Sequence, residues 1–423
     1  MSVELPTLPD HWRKTRVDRV ASVNARIGWK ALTAAEYQPD GYAFLSTPNI
    51  KGREIDFTEV NYITELRYHE SPELKLQRGD VLLAKDGSTL GIVNIVRDLP
   101  RAATVNSSIA VIRPSGIDAS YLRYALASSI TQAAINMLKG GMGVPHLFQW
   151  DINRLPLPLP PLEEQRRIAD FLDIETARID QLRQLRERQR ALLEARRWSH
   201  FQAELDRAQG DIIPLRRVIR SVIDGPFGSA FSSEDYADEG AAVVRLGNIG
   251  FAEYRGGDQA RIPMTIFERF RYHEVKSGDI LIAGLGDSRN HAGRACMAPN
   301  LGAAIVKGKC FRARLETDVA DAEFIALLLS SPVGASAIEG RGSTRSMINL
   351  EIVRSAILPI PSLVRQRHLV SEQRKSWHRT KAATHACDRQ MTALTERRQA
   401  LITAAVTGQF DLSTASGRGV DLP

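Results

Sequence analysis

Leu155-Pro156-Leu157-Pro158-Leu159-Pro160-Pro161-Leu162-Glu163-Glu164-Gln165-Arg166-Arg167-Ile168 joins two kinds of chain. Proline at every second position removes alternate backbone donors, so its first half suits an edge strand or a polyproline II rod. Pro161 stands where the first turn of a helix tolerates a missing N–H, and Glu163 and Glu164 suit a helix's positive end. The arrangement returns as Ile357-Leu358-Pro359-Ile360-Pro361-Ser362-Leu363-Val364-Arg365-Gln366-Arg367. One such junction marks a domain boundary; two mark a repeated unit. In the second copy Ser362-Leu363-Val364-Arg365 replaces Pro161-Leu162-Glu163-Glu164, and the acidic first turn is lost.

Working outward, the two halves align without gaps at an offset of 199. Tyr37, Gly41, Asn49 and Ile50 fall on Tyr236, Gly240, Asn248 and Ile249. Gly79-Asp80-Val81-Leu82-Leu83-Ala84 falls on Gly278-Asp279-Ile280-Leu281-Ile282-Ala283. Further on the offset drifts to 201, where Val105 meets Val306, Arg113 meets Arg314 and Gln165 meets Gln366. A drift of two is what surface-loop insertions produce. Gly79-Asp80 and Gly278-Asp279 read as tight turns into a buried strand, glycine supplying positive φ and aspartate capping its own backbone. Tyr37, Tyr236, Asn49 and Asn248 read as frame residues.

Each half holds short β-branched runs between turn signals: Val81–Leu83, Ile92–Val96 and Ile109–Ile112, then Val243–Leu246 and Ile280–Ile282. Helical patches follow near Tyr121–Leu138 and Ala322–Ile338. Each half is therefore expected to be α+β. The linking segments differ in kind. Ile168, Leu172, Ile179, Leu182, Leu185, Leu192 and Leu193 form one narrow apolar stripe. Val370, Trp377, Cys387, Met391, Leu394, Leu401 and Ala405 form another. Such stripes are coiled-coil seams, and Gly210 and Gly408 are placed to end the two helices. The expected fold is two tandem α+β domains (1–162 and 210–362) separated by long helices at 163–209 and 363–410, with a tail at 411–423. About 45 residues at ~1.5 Å each make the first helix a rod of roughly 65 Å. The second is expected to return antiparallel beside it, giving a pseudo-twofold internal repeat.

The net charge of +7 and pI near 9.4 invite a nucleic-acid reading, so its distribution matters. Residues 364–410 carry nine basic and three acidic side chains, while 208–363 carry eighteen of each. The excess sits on the last helix, and charge alone is a weak signal. Three cysteines, far apart in sequence, argue against a disulfide framework or zinc site. With no apolar run near ~18 residues and an N-terminus unlike a signal peptide, a cytoplasmic protein is expected. There is no P-loop, no Asp/Asn-Pro-Pro-Tyr/Phe motif and no metal-spaced His/Cys cluster. Glu73-Leu74-Lys75 has a nuclease-like shape but reads as surface charge.

The residues resemble the specificity (S) subunit of type I restriction-modification systems over the whole chain. The most specific parts are Pro158–Ile168 and the closing Leu401-Ile402-Thr403-Ala404-Ala405-Val406-Thr407-Gly408. Asp224-Gly225-Pro226-Phe227-Gly228-Ser229, Val244–Ile249 and Lys85-Asp86-Gly87-Ser88-Thr89-Leu90-Gly91 look like parts of that family's target-recognition domains. The resemblance implies two target-recognition domains, each reading half of a split double-stranded DNA site, with the paired helices as spacer. It implies docking of two methyltransferase subunits on those helices (residues such as Ile168, Leu172, Ile179, Leu182, Trp377, Met391, Leu394 and Leu401), and restriction subunits that translocate DNA. Adenine methylation would belong to the partners, with their S-adenosylmethionine, ATP and Mg; this chain would hold no catalytic residue, cofactor or metal.

Specificity is sought where the halves differ, in exposed loops with donors matched to base edges. The candidates are Lys85, Asp86, Ser88, Thr89 and Lys139 in the first half. In the second they are Arg289, Asn290, His291, Arg294, Arg341, Thr344 and Arg345. For each loop, contact with DNA and plain solvation both stay open. Trp29, Tyr42, Phe227 and Tyr254 have rings that stack on bases, but core packing is the favoured use. The competing readings are a coiled-coil scaffold for protein partners without DNA specificity, and a self-contained nuclease or methyltransferase, which the missing motifs disfavour.

Overall fold

The computed structural model describes residues 5–25, 32–138, 145–226, 235–257, 259–287, 290–339 and 347–410. The chain forms two compact units. One runs to Arg186 and resumes at Arg389; the other is Glu187–Asp388. The long helices are Leu162–Arg207 and Leu363–Val406, close to the expected limits. Packing, however, groups the chain differently from the linear order of domains and helices. Each unit takes in the first part of one long helix and the last part of the other.

The cause is where the apolar side chains lie. Ile168, Ala169 and Leu172 from the central helix share a core with Ile402, Ala405 and Val406 from the distal one. In the second unit Phe201 and Leu205 share a core with Leu369 and Val370. Within each unit the two helices run antiparallel, with Asp180–Arg398 at 3.6 Å in the first and Arg190–Asp388 at 3.5 Å in the second. The expected apolar seam is not continuous. Ile168, Leu172 and Ile179 are buried, but Leu182, Leu185 and Leu192 are 46, 51 and 69% exposed.

Both units have the same sheets. In the first, an antiparallel sheet runs Ala21–Asn24, Ile109–Pro114, Val81–Ala84, Val93–Ile95, and a mixed one runs Asn61–Ile63, Tyr42–Leu45, Ala103–Val105. In the second the orders are Ile219–Asp224, Cys310–Leu315, Ile280–Ala283, Ala295–Met297, and Arg261–Ile262, Ala241–Val244, Ala304–Val306. The run 243–246 is not all strand: Leu246–Asn248 already turns. Each helical patch is two helices, Ala119–Ala127 then Ser129–Leu138 and Ala322–Ser330 then Pro332–Glu339. Ser128 and Ser331 divide them, each hydroxyl donating to a carbonyl three residues back.

The junctions are two-stranded ribbons. Pro156–Leu159 pairs antiparallel with Arg13–Arg16, and Ile357–Ile360 with Asp211–Pro214. An antiparallel ribbon takes donors from alternate residues, so prolines at every second position are tolerated. The intervening Leu155, Leu157 and Leu159 are buried beneath the central helix. Gly408 ends the distal helix at φ +71°, as its position suggested. Gly210 has another role. Gln209 takes the left-handed turn (φ 48°), and a Cβ on Gly210 would lie 2.5 Å from Pro361 N. No described helix is long and apolar enough to cross a membrane.

Candidate nucleic-acid interface

The loops hang from a frame that both units build alike. Gly79 and Gly278 turn at φ 89° and 88°. The following aspartates accept backbone N–H groups, Asp80 from Gln77 and Asp279 from Lys276, both at 2.8 Å. Each buried carboxylate also meets an arginine one strand away, Arg113 Nε at 2.8 Å and Arg314 Nε at 3.0 Å. The hydrogen bond to Asp80 raises the Arg113 pKa above its usual value. Asn49 and Asn248 are buried and tie their turns by side-chain bonds, to Ser46, Asp56 and Glu59, and to Arg245 and Arg255. These shared residues hold the frame, as their repetition suggested.

The first unit's loop leaves the strand Val81–Ala84. Lys85 is buried, its N–H donating to Ser108 O at 2.8 Å and its carbonyl accepting from Leu147 N at 2.9 Å. Lys85 Nζ lies 3.6 Å from Asp86 Oδ2. Asp86 pairs with His146 Nδ1, and Gly87 (φ 65°) donates to Pro145 O at 2.9 Å. Thr89 Oγ1 closes the turn on Asp86 O at 3.1 Å, leaving Ser88 exposed. The loop is thus stitched to the segment before the short helix Gln149–Asn153. That segment and the first turn of the helix present aromatic rings outward. His146 meets Phe148 edge-on at 4.6 Å, Phe148 lies parallel to Trp150 at 6.4 Å, and Arg154 covers Trp150 at 5.3 Å. Phe148 and Trp150 are 53 and 54% exposed.

The second unit uses the same stitching with different chemistry. Leu285 bridges Met347, and Ile348 N donates to Gly284 O at 2.9 Å. Asn290 folds back on Asp287, its Nδ2 donating to Oδ1 at 3.0 Å. His291 Nδ1 lies 2.8 Å from Ala292 O. Arg294 does not face solvent. Its guanidinium is buried and donates to the carbonyls of Ile249, Leu285, His291 and Leu246. Burial holds its pKa below the usual value. Arg294 organises the loop from within.

Lys139, Arg289, Arg341, Thr344 and Arg345, like Trp29, Phe227 and the tail 411–423, lie outside the described residues. Tyr42 stacks on Tyr68 at 4.2 Å, and Tyr254 donates to Gln259 Oε1 at 2.6 Å, so both belong to domain packing. Lys75 sits over Tyr68, and Glu73 is exposed, consistent with plain surface charge. Sequence reading missed His146, Phe148, Trp150 and Arg154. The available signal was two aromatic side chains at alternate positions just after a glycine-rich loop. The counterparts of His146, Phe148 and Trp150 one repeat later, Met347, Asn349 and Glu351, are not aromatic. Among the described residues no group of three or more His, Cys, Asp or Glu is placed to hold a metal.

A family model described as the type I restriction modification DNA specificity domain matches residues 9–189. The chain is 22% identical over 381 residues to the type I restriction enzyme EcoKI specificity subunit of Escherichia coli (strain K12), covering 86% of this chain and 81% of that one. It is 21% identical over 425 residues to the StySPI specificity subunit of Salmonella potsdam, covering 95% and 90%. A solved structure described as the basis of complex assembly and conformational transition of the type I R-M system aligns over 96% of this chain and 100% of that one. The TM-score is 0.59 at 18% identity, a likeness of fold.

Proposed function

We infer that this chain belongs to the specificity-subunit family of type I restriction-modification systems and reads DNA sequence for such a system. Each unit reads one half of a split site, and the helical segments between the readers set the spacer. The observation that carries this reading is the duplicated frame with unlike loops. Asp80–Arg113 and Asp279–Arg314 repeat, while Asp86, His146, Phe148 and Trp150 give way to Leu285, Met347, Asn349 and Glu351. A repeated scaffold with divergent loop chemistry suits two readers of different sequence. Base edges demand matched donors, acceptors and apolar contacts, and the rest of the scaffold does not change with the sequence read.

The reading gives this chain recognition and leaves methyl transfer and cleavage to two methyltransferase subunits and to restriction subunits, which carry S-adenosylmethionine, ATP and Mg. The outward-facing Leu182, Leu185 and Leu192 supply apolar surface for such partners. The test is to map methylated adenines in host DNA with and without the gene. Loss of methylation at one split motif is the expected result. An unchanged methylation pattern would favour the scaffold reading.

A further inference from the structure

A cavity of about 350 Å³ lies in the second unit, where the long helices pack on the domain. Ala326, Leu327 and Val370 give it an apolar wall. Two buried side chains with unpartnered polar atoms also line it. Gln373 is 4% exposed, and neither its Nε2 nor its Oε1 has a hydrogen-bond partner. Arg197 is 7% exposed, its guanidinium lies between Trp377 (3.3 Å to the ring centre) and Trp198 (4.4 Å), and its Nε is unpartnered. A buried donor left unpaired carries a desolvation penalty of about 1–3 kcal/mol. Burial pushes the Arg197 pKa down to about 9, which still leaves it charged at neutral pH. The carboxylates at the rim are already engaged, Glu323 by Arg374 and Glu253 by Lys381 at 2.7 Å.

The first unit solves the same position with its own side chains. One repeat earlier, Leu172 stands for Gln373, Asp173 for Arg374 and Thr176 for Trp377. Leu172 is buried in the core. Asp173 accepts from Arg97 Nη2 at 2.7 Å and from the Tyr124 hydroxyl at 2.6 Å, and Tyr124 meets Thr176 at 3.1 Å. The strand bonds Val96 N to Asp80 O and Ala298 N to Asp279 O, both 2.8 Å, make the next residues, Arg97 and Pro299, equivalent. Leu327 stands for Tyr124, since the caps Asp118 and Asp321 align their two helices. The second unit therefore lacks the side chains that fill and neutralise this seam in the first.

We propose that the cavity receives an acidic side chain carried on an apolar segment of a protein partner. Arg197 takes the carboxylate, Gln373 pairs with a peptide group of the segment, and the wall of Ala326, Leu327 and Val370 takes a neighbouring apolar side chain. The charge is complementary: residues 364–410, which supply one side of the cavity, carry nine basic and three acidic side chains. The proposal rests on the reading of the chain as one subunit of an assembly, and adds a site in one unit that its repeat does not share.

The test uses the full chain and the methyltransferase subunit of the same system. Gln373→Leu restores the residue that the first unit carries at this position and is expected to keep the fold. It should weaken association by roughly tenfold, the size of one lost hydrogen bond to a buried group. Arg197→Lys, which keeps the charge but loses the guanidinium's planar fork, should weaken it as well. The peptide acetyl-Leu-Glu-Leu-amide should perturb the tryptophan emission and compete with the subunit, whereas acetyl-Leu-Lys-Leu-amide should not. Unchanged association in both variants would overturn the proposal. Glutarate competing as well as the glutamate peptide would overturn it too, by assigning the cavity to a free carboxylate. Failure of the DNA-reading assignment is separate, since it appears as an unaltered adenine methylation pattern.

Discussion

Gln165 Oε1 accepts the backbone N–H of Asp118 at 2.8 Å, and Gln366 Oε1 accepts that of Asp321 at the same distance in the other unit. Each amide then donates back to its own junction, Gln165 to Pro160 O at 2.8 Å and Gln366 to Pro361 O at 2.7 Å. Asp118 and Asp321 in turn cap the helices that begin at Ala119 and Ala322. One buried glutamine per unit thus joins the proline ribbon, the long helix and the domain. Replacing either with alanine leaves a partly buried N–H and a buried carbonyl without the glutamine and should cost about 1–3 kcal/mol. Chemical unfolding of Gln165→Ala and Gln366→Ala measures it, and equal stability of both variants to the parent would refute the role.

The Asp80–Arg113 pair is the second place where the frame is exposed to test. The Asp80 side chain is 1% exposed while that of Arg113 is 30% exposed, so solvent screens part of the loss. Asp80→Ala should cost about 2–4 kcal/mol, with Asp80→Asn costing less because it still accepts from Gln77 N–H. Thermal unfolding ranks the two variants; a reversed order would contradict the assignment.

Much of this was legible in the sequence because it is enforced by backbone chemistry. Alternating prolines admit few conformations, and the repeated Gly-Asp turn fixes φ and an acceptor together, so ribbons, frame and helices were readable. Arg294 was not. In sequence it is one more cation in a glycine-bounded loop, and only the fold surrounds it with four carbonyls. The grouping into units was hidden for a similar reason. The apolar stripe shows that two helices bury a face, but not that residues 168–172 and 402–406 serve the same core. Phe148 and Trp150 passed unnoticed because exposure, not composition, sets them apart.

These two rings lead to a third prediction. Being exposed, they contribute little to stability, so Phe148→Ala and Trp150→Ala should leave the unfolding midpoint near that of the parent. Loss of an apolar or stacking contact with a base should weaken specific DNA binding by about 1–3 kcal/mol. Binding of the assembled complex to its split site, at fixed salt, tests this. Unaltered affinity would remove the segment from the interface.

Thiol chemistry gives a fourth. Cys296, Cys310 and Cys387 are all buried, and burial pushes the first two up to about 12. A thiol raised in the folded state holds its proton while the unfolded one, near 8.5, releases it. Stability contributed this way is present below about pH 8.5 and falls as pH rises toward 12. At pH 8 the native protein should react slowly with a thiol reagent, and the unfolded chain should titrate three groups. Rapid native labelling of all three would contradict the packing.

A fifth concerns the helices. Inserting four residues at both Arg186/Glu187 and Asp388/Arg389 adds about one turn to each helix and keeps the pairing within each unit. At ~1.5 Å per residue against ~3.4 Å per base pair, the spacer of the methylated motif should lengthen by roughly two base pairs. A spacer that stays the same would show that the helices do not set it.

The central claim is that the two units read DNA independently on a common frame. The most direct measurement exchanges residues 1–150, which hold the 85–89 loop and the Phe148–Trp150 segment, for those of a relative with another target. Methylated adenines are then mapped in DNA modified by the chimera. The expected motif keeps one half and replaces the other. A motif with both halves unchanged, or both replaced, would contradict the account.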